Sequence, residues 1–222
     1  MSTEKEIIID FNYLSQISRE KSQNAILRGI LPGHVKALLI GRKGCTIEGM
    51  KQHFKVKINI EGERMIQIGG QPENIAKAWT HCLKLVLERL PFVFTAGRIS
   101  ISFMLTTAMI HCLLAVNAFE KIASESGVEI RIHRRPLTPD CTEHIVKLSV
   151  AEVDDIEHSL EKAVHNLCTA IACNPKYALS FPGTKFYYSN NHDEPFLAEI
   201  SREEKKDDLV FNPLSVSRRK EE

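Results

Sequence analysis

No two of the six cysteines stand at C-x-x-C spacing, no Cys/His set has the spacing of zinc ligands, and no H-E-x-x-H string occurs among 222 residues. Cys45, Cys82, Cys112, Cys141, Cys168 and Cys173 are scattered, as are the nine histidines, so no structural metal and no cofactor are expected. With no secretory signal peptide ahead of them, the cysteines read as reduced, mostly buried thiols of an intracellular protein, cytoplasmic or nuclear. The longest apolar run, near Leu113, falls far short of the ~20 residues of a spanning helix. A nucleophile elbow, a P-loop and a plausible triad spacing are missing too, which leaves an enzyme with little support. Overall charge excess is also missing, with 29 Lys/Arg against 28 Asp/Glu.

That balance conceals a split. Residues 24–93 carry 11 Lys/Arg against 5 Asp/Glu, whereas residues 98–173 carry 7 against 10. A basic first half suits a polyanion, and an acidic second half argues against a phosphate track along the whole chain. Within the basic half, Gly41-Arg42-Lys43-Gly44 lies between two apolar-periodic stretches. Glycines there allow main chain to approach a ligand closely, Arg42 and Lys43 offer charge to phosphate, and a following helix points free N–H groups the same way.

Around that loop the pattern predicts a strand over Ala25–Leu31, a short helix ending at Ile40, and a second helix whose stripe is Ile47, Met50 and Phe54. Alternation over Lys55–Ile60 predicts a strand, a Glu61-Gly62-Glu63 turn returns it as Arg64–Ile68, and Gly69-Gly70 is expected to break it. Pro72 and Glu73 suit the first turn of a helix whose stripe runs Ile75, Ala78, Trp79, Cys82, Leu83 and Val86. The order is β-α-α-β-β-α. After an uncharged linker, Leu90–Gly97, the order returns. It runs through a strand at Ile99–Phe103, a helix capped by Thr106 or Thr107, and a second helix reaching Gly127. Strands at Val128–Ile132 and His144–Val150 then flank a loop over Arg134–Glu143, and a long helix spans Ile156–Ile171.

The string Ala37-Leu38-Leu39-Ile40-Gly41-Arg42-Lys43-Gly44-Cys45-Thr46-Ile47 resembles the signature of eukaryotic type I KH domains, as in poly(C)-binding and Nova-like proteins. The Val56–Ile60 strand and the Gly-x-Pro-Glu helix start follow at the family's distances. This resemblance covers about residues 24–89. It implies a loop that clamps about four unpaired nucleotides of RNA or single-stranded DNA while bases lie in a narrow groove. Carried over, Gly41 and Gly44 would admit the backbone, Arg42 and Lys43 would meet phosphates, Ile40, Ile47 and Ile58 would line the groove floor, and Lys57 and Arg64 would be base-edge or phosphate donors. Ordinary core packing is the competing reading for the three isoleucines, and a solvated sheet edge for Lys57 and Arg64.

The second half resembles a KH domain by element order alone. Its loop position reads Leu113-Leu114-Ala115-Val116-Asn117-Ala118-Phe119, with neither glycine nor cation. Matching Leu114 to Ile40 puts Ala115–Ala118 on the loop, while matching Ile122 to Met50 shortens it; either way the phosphate clamp is lost. The fold class implied is α+β: two tandem type I KH domains, each a three-stranded antiparallel sheet packed on three helices, with an irregular C-terminal extension. The divisions are an N-terminal extension (1–23), a KH domain with the glycine loop (24–93), a degenerate KH domain (98–173) and a tail, partly extended or disordered (174–222).

Ile7–Leu14 is apolar enough to pack on a domain or dock a partner, and the tail carries Phe181, Phe186, Tyr187, Tyr188 and Phe196. These features imply a non-catalytic adaptor in mRNA regulation, with single-stranded RNA at the first unit and a protein partner, or self-association, through the second unit and tail. The alternative is a protein-binding or dimerisation scaffold without nucleic acid.

Overall fold

The computed structural model describes residues 24–31, 35–61, 65–89, 99–134, 142–150, 156–174 and 208–213. The elements of the first half are β1 (Ala25–Ile30), α1 (Val35–Ile40), a 3-10 turn (Arg42–Gly44), α2 (Cys45–Phe54), β2 (Lys57–Glu61), β3 (Met65–Gly70) and α3 (Pro72–Arg89). The second half repeats that order with β4 (Ile99–Thr106), α4 (Thr107–Ala115), α5 (Ala118–Ser126), β5 (Glu129–Ile132), β6 (Glu143–Val150) and α6 (Glu161–Cys173), the last entered through a π turn at Ile156–Leu160. A final strand, β7 (Leu209–Phe211), comes from the C-terminal segment. The chain is thus a mixed α/β fold on an antiparallel sheet.

Among the described residues the sheet has seven strands, in the order β2-β3-β1-β4-β6-β5-β7. Within each half the first and second strands flank the third, and the halves meet where β1 pairs with β4 through Arg28↔Met104, Gly29↔Phe103 and Ile30↔Ser102. Alternation explains the strands: Ala25 and Leu27 of β1 and Ile99, Ile101 and Phe103 of β4 face one hydrophobic cluster that continues from one half into the other. Helix α3 packs along α6, and α6 also lies over β1. At the seam Trp79 of α3 is fully buried and meets Phe103 edge-on, with centroids 5.2 Å apart. Gly29, directly opposite Phe103, makes room for it, because a Cβ there would lie 2.4 Å from the Trp79 ring. A buried ion pair between Arg28 of β1 and Glu143 of β6 crosses the same seam.

Several local features differ from the sequence pattern. Gly69 and Gly70 extend β3 instead of ending it, because β3 is a central strand: Gly69 pairs with both Ile26 and Lys57, and Gly70 with Ala25. Pairing on both edges outweighs glycine's low strand propensity. Lys55 does not begin β2; it closes α2 in the left-handed conformation, φ 54°, its N–H donating to Lys51 O. Glu143 belongs to β6, opposite Thr106. Of the two threonines, Thr106 is the cap, its hydroxyl accepting from Met109 N–H at 3.1 Å, while Thr107 N–H and Oγ1 both donate to Thr142 O. The N-terminal segment 1–23, the 90–97 linker, Arg64, Cys141 and the tail aromatics from Phe181 to Phe196 lie outside the described residues.

Candidate nucleic-acid interface

The loop between α1 and α2 is built by backbone conformations that few residues accept. Gly41 N–H donates to Ala37 O at 3.0 Å, closing the last turn of α1. Gly41 then takes φ 71° and ψ 178°, a region essentially reserved for glycine. A side chain would not fit there in any case, since a Cβ on Gly41 would lie 2.0 Å from Thr46 Oγ1. Gly44 N–H returns to Gly41 O at 3.2 Å, making Arg42–Gly44 a single tight turn. Lys43 (φ 53°, ψ 27°) and Gly44 (φ 79°, ψ 8°) are both left-handed. A left-handed lysine is strained by about 1–2 kcal/mol, which points its side chain outward from a turn already committed by its neighbours.

The consequence is a basic, exposed turn at the start of α2. Arg42 and Lys43 are exposed, and neither pairs with an acid among the described residues. The first-turn acid of α2, Glu48, is instead held by Lys51 at 2.7 Å. Gly44, which precedes α2, has no side chain to cap it, and Gly44 N–H and Cys45 N–H turn back onto the loop, to Gly41 O and Arg42 O. Main chain without Cβ and two exposed cations converge there at the start of a helix, a combination suited to a phosphodiester backbone.

Helix α2 packs beside β2, which brings the other candidates near the loop. Ile40 and Ile47 are half-buried and keep surface to offer. Ile58 is 4% exposed and is a core residue. Lys57 is exposed on β2, the outermost strand of that end of the sheet among the described residues. Ile60 was not singled out, yet it lies on the same face as Ile58 and is only partly buried; the alternation Lys57-Ile58-Asn59-Ile60 contained the signal. At the end of α2, His53 and Phe54 meet edge-on at 4.7 Å, and His81 of α3 lies 5.4 Å from Phe54. Partial burial and the neighbouring His53 lower the His81 pKa below 6.5.

The equivalent joint in the second half is different in kind. Helix α4 ends at Ala115 and α5 starts at Ala118, so only Val116 and Asn117 connect them. This is the shortened alternative: Met50 and Ile122, both buried, each stand five residues before the left-handed helix ends at Lys55 and Gly127. Asn117 supplies the left-handed residue, φ 52°, and neither glycine nor cation is present. Among the described residues no cluster of His, Cys, Asp and Glu could hold a metal ion, and no helix is long and apolar enough to cross a membrane. Burial pushes the Cys82 thiol up to about 12, and the Cys168 thiol is raised as well, so both behave as packing groups.

Residues 27–84 match the KH domain family, and the chain contains one KH domain there. Among solved structures, a chain of the crystal structure of the a/eIF2alpha–aDim2p–rRNA complex from Pyrococcus horikoshii OT3 is similar at 17% identity. The match covers 68% of this chain and 88% of that one, with a TM-score of 0.29. No curated protein sequence matches the chain.

Proposed function

We propose that the protein is a non-catalytic adaptor that binds single-stranded RNA through its first unit, with the second unit acting as a degenerate KH fold that contacts protein. One observation carries this reading: the Gly41–Gly44 turn joins two positive-φ glycines, two exposed cations and the start of a helix inside the KH match. A clamp of that size holds about four unpaired nucleotides. Arg42 and Lys43 meet phosphates, Ile40 and Ile47 floor the groove above the buried Ile58, and Lys57 and Arg64 serve as donors. The acidic second half and its two-residue Val116–Asn117 joint support a division of labour in which nucleic acid stays at the first unit.

Titration with a randomised single-stranded RNA pool tests the proposal. Affinity should fall with salt at a slope of about −0.7 per phosphate contacted. The Arg42→Asp/Lys43→Asp variant should lose binding while its circular dichroism stays unchanged. Undiminished affinity in that variant would remove the loop from the mechanism.

A further inference from the structure

The two ends of the sheet should be alike, since β2 and β5 occupy the same place in their halves, yet they are not. Among the described residues β2 has no strand on its outer edge, whereas β5 is covered by β7. The pairing is antiparallel, Ile130↔Phe211, Arg131↔Val210 and Ile132↔Leu209, and α5 packs on the same strand. Counted from the left-handed helix ends, Phe119 of α5 stands where Ile47 stands in α2; Ile130 of β5 likewise matches Ile58. Phe211 stacks on Phe119 with centroids 5.7 Å apart and planes at 26°. The face that corresponds to the α2–β2 side of the first unit is therefore covered by the chain's own C-terminal segment.

We propose that the groove between α5 and β5 is a peptide-recognition site for a strand of pattern acidic–aliphatic–any–aromatic, with Asp208–Phe211 as its built-in ligand. The chemistry is that of strand addition: backbone bonds give affinity, and alternate side chains give specificity. Leu209 and Phe211 turn inward and pack on the core, while Val210 between them is 40% exposed. The Asp208 side chain is nearly buried, with its Oδ2 3.7 Å from His133 Nδ1, which places the acidic position of the pattern beside that imidazole. Residues 174–207 separate this ligand from α6, which makes its docking intramolecular, at an effective concentration of about millimolar for a short tether and lower for a longer one. A partner strand of the same pattern competes for the groove. This rests on the reading that the second unit takes protein, not nucleic acid.

The test uses the full chain with the tail unseated by Leu209→Asp/Phe211→Asp, titrated with a labelled peptide of residues 205–214. The peptide should bind this variant at least ten-fold more tightly than it binds the wild-type chain. Adding Phe119→Ala should cost a further ten-fold or more, and a peptide with alanine in place of its phenylalanine should fail likewise. Absence of saturable binding by the folded variant would overturn the peptide site while leaving the RNA reading intact. Binding of single-stranded RNA gained by unseating the tail, in an Arg42→Asp/Lys43→Asp background, would overturn the division of labour itself. Should the variant not fold, hydrogen exchange on the wild type decides. Amides of Leu209–Phe211 exchanging at least ten-fold faster than those of β6 would support a displaceable strand, and equal protection would make β7 an integral strand and refute the proposal.

Discussion

At the scale of single residues, the two loop glycines should respond differently to the same substitution. Gly41→Ala places a Cβ 2.0 Å from Thr46 Oγ1 and 3.0 Å from Thr46 N in a backbone region closed to alanine, so a loss of about 2–3 kcal/mol is expected. Gly44→Ala meets nothing within 4 Å and carries only the left-handed penalty, about 1 kcal/mol. Urea denaturation of both variants checks the order, and equal losses would mean that the Thr46 contact is unimportant. His81 yields a pH dependence. Its pKa is lowered on folding, mainly by desolvation and then by His53, against a smaller opposing effect of Glu88 and with Lys84 adding to the lowering. The unfolded chain therefore takes up a proton more readily, and stability should decline as pH falls from about 6.5 toward the folded value. His81→Gln should flatten that part of the profile in a pH series of denaturation midpoints.

At the scale of elements, the strands and helices carrying the loop were legible because each obeys its own period. Ile47, Met50 and Phe54 repeat as a helix stripe, and Lys57–Ile60 alternates as an edge strand should. What was not legible depended on partners distant in sequence. Gly69-Gly70 reads as a break until strands pair on both sides of it. Leu209-Val210-Phe211 is too short to show a period, and only the β5 edge and the Phe119 ring make it a strand. Glu143 reads as a loop residue until Arg28, far back in the chain, reaches it across β4. The pair sets up a further prediction. Glu143 is fully buried, so Glu143→Ala should cost about 3–5 kcal/mol by removing the buried acid opposite the guanidinium, whereas Arg28→Met/Glu143→Leu should be much closer to wild type. Denaturation of the single and double variants gives the coupling directly.

At the scale of the whole molecule, the repeat was visible as a returning element order, but its consequence was not, because no local pattern records that β1 and β4 become neighbours. One sheet and one continuous core imply one cooperative unfolding unit. The chain's single tryptophan, Trp79, sits at the seam, so its fluorescence should change together with far-ultraviolet circular dichroism in urea. Two separated transitions would contradict the shared core. Gly29→Ala, by forcing Trp79 off Phe103, should lower stability by about 2–3 kcal/mol without separating the two signals.

The proposed division of function rests on the same asymmetry between halves: among the described residues the first carries a basic glycine turn and a sheet edge without an outer strand, and the second carries neither. Amide spectra of the labelled full chain, titrated with a short single-stranded RNA, test this most directly. Perturbations should gather at Gly41–Gly44, the start of α2 and β2, and spare Val116, Asn117 and β5. Perturbations centred on the second half, or spread evenly over both, would contradict a single nucleic-acid site on the first unit.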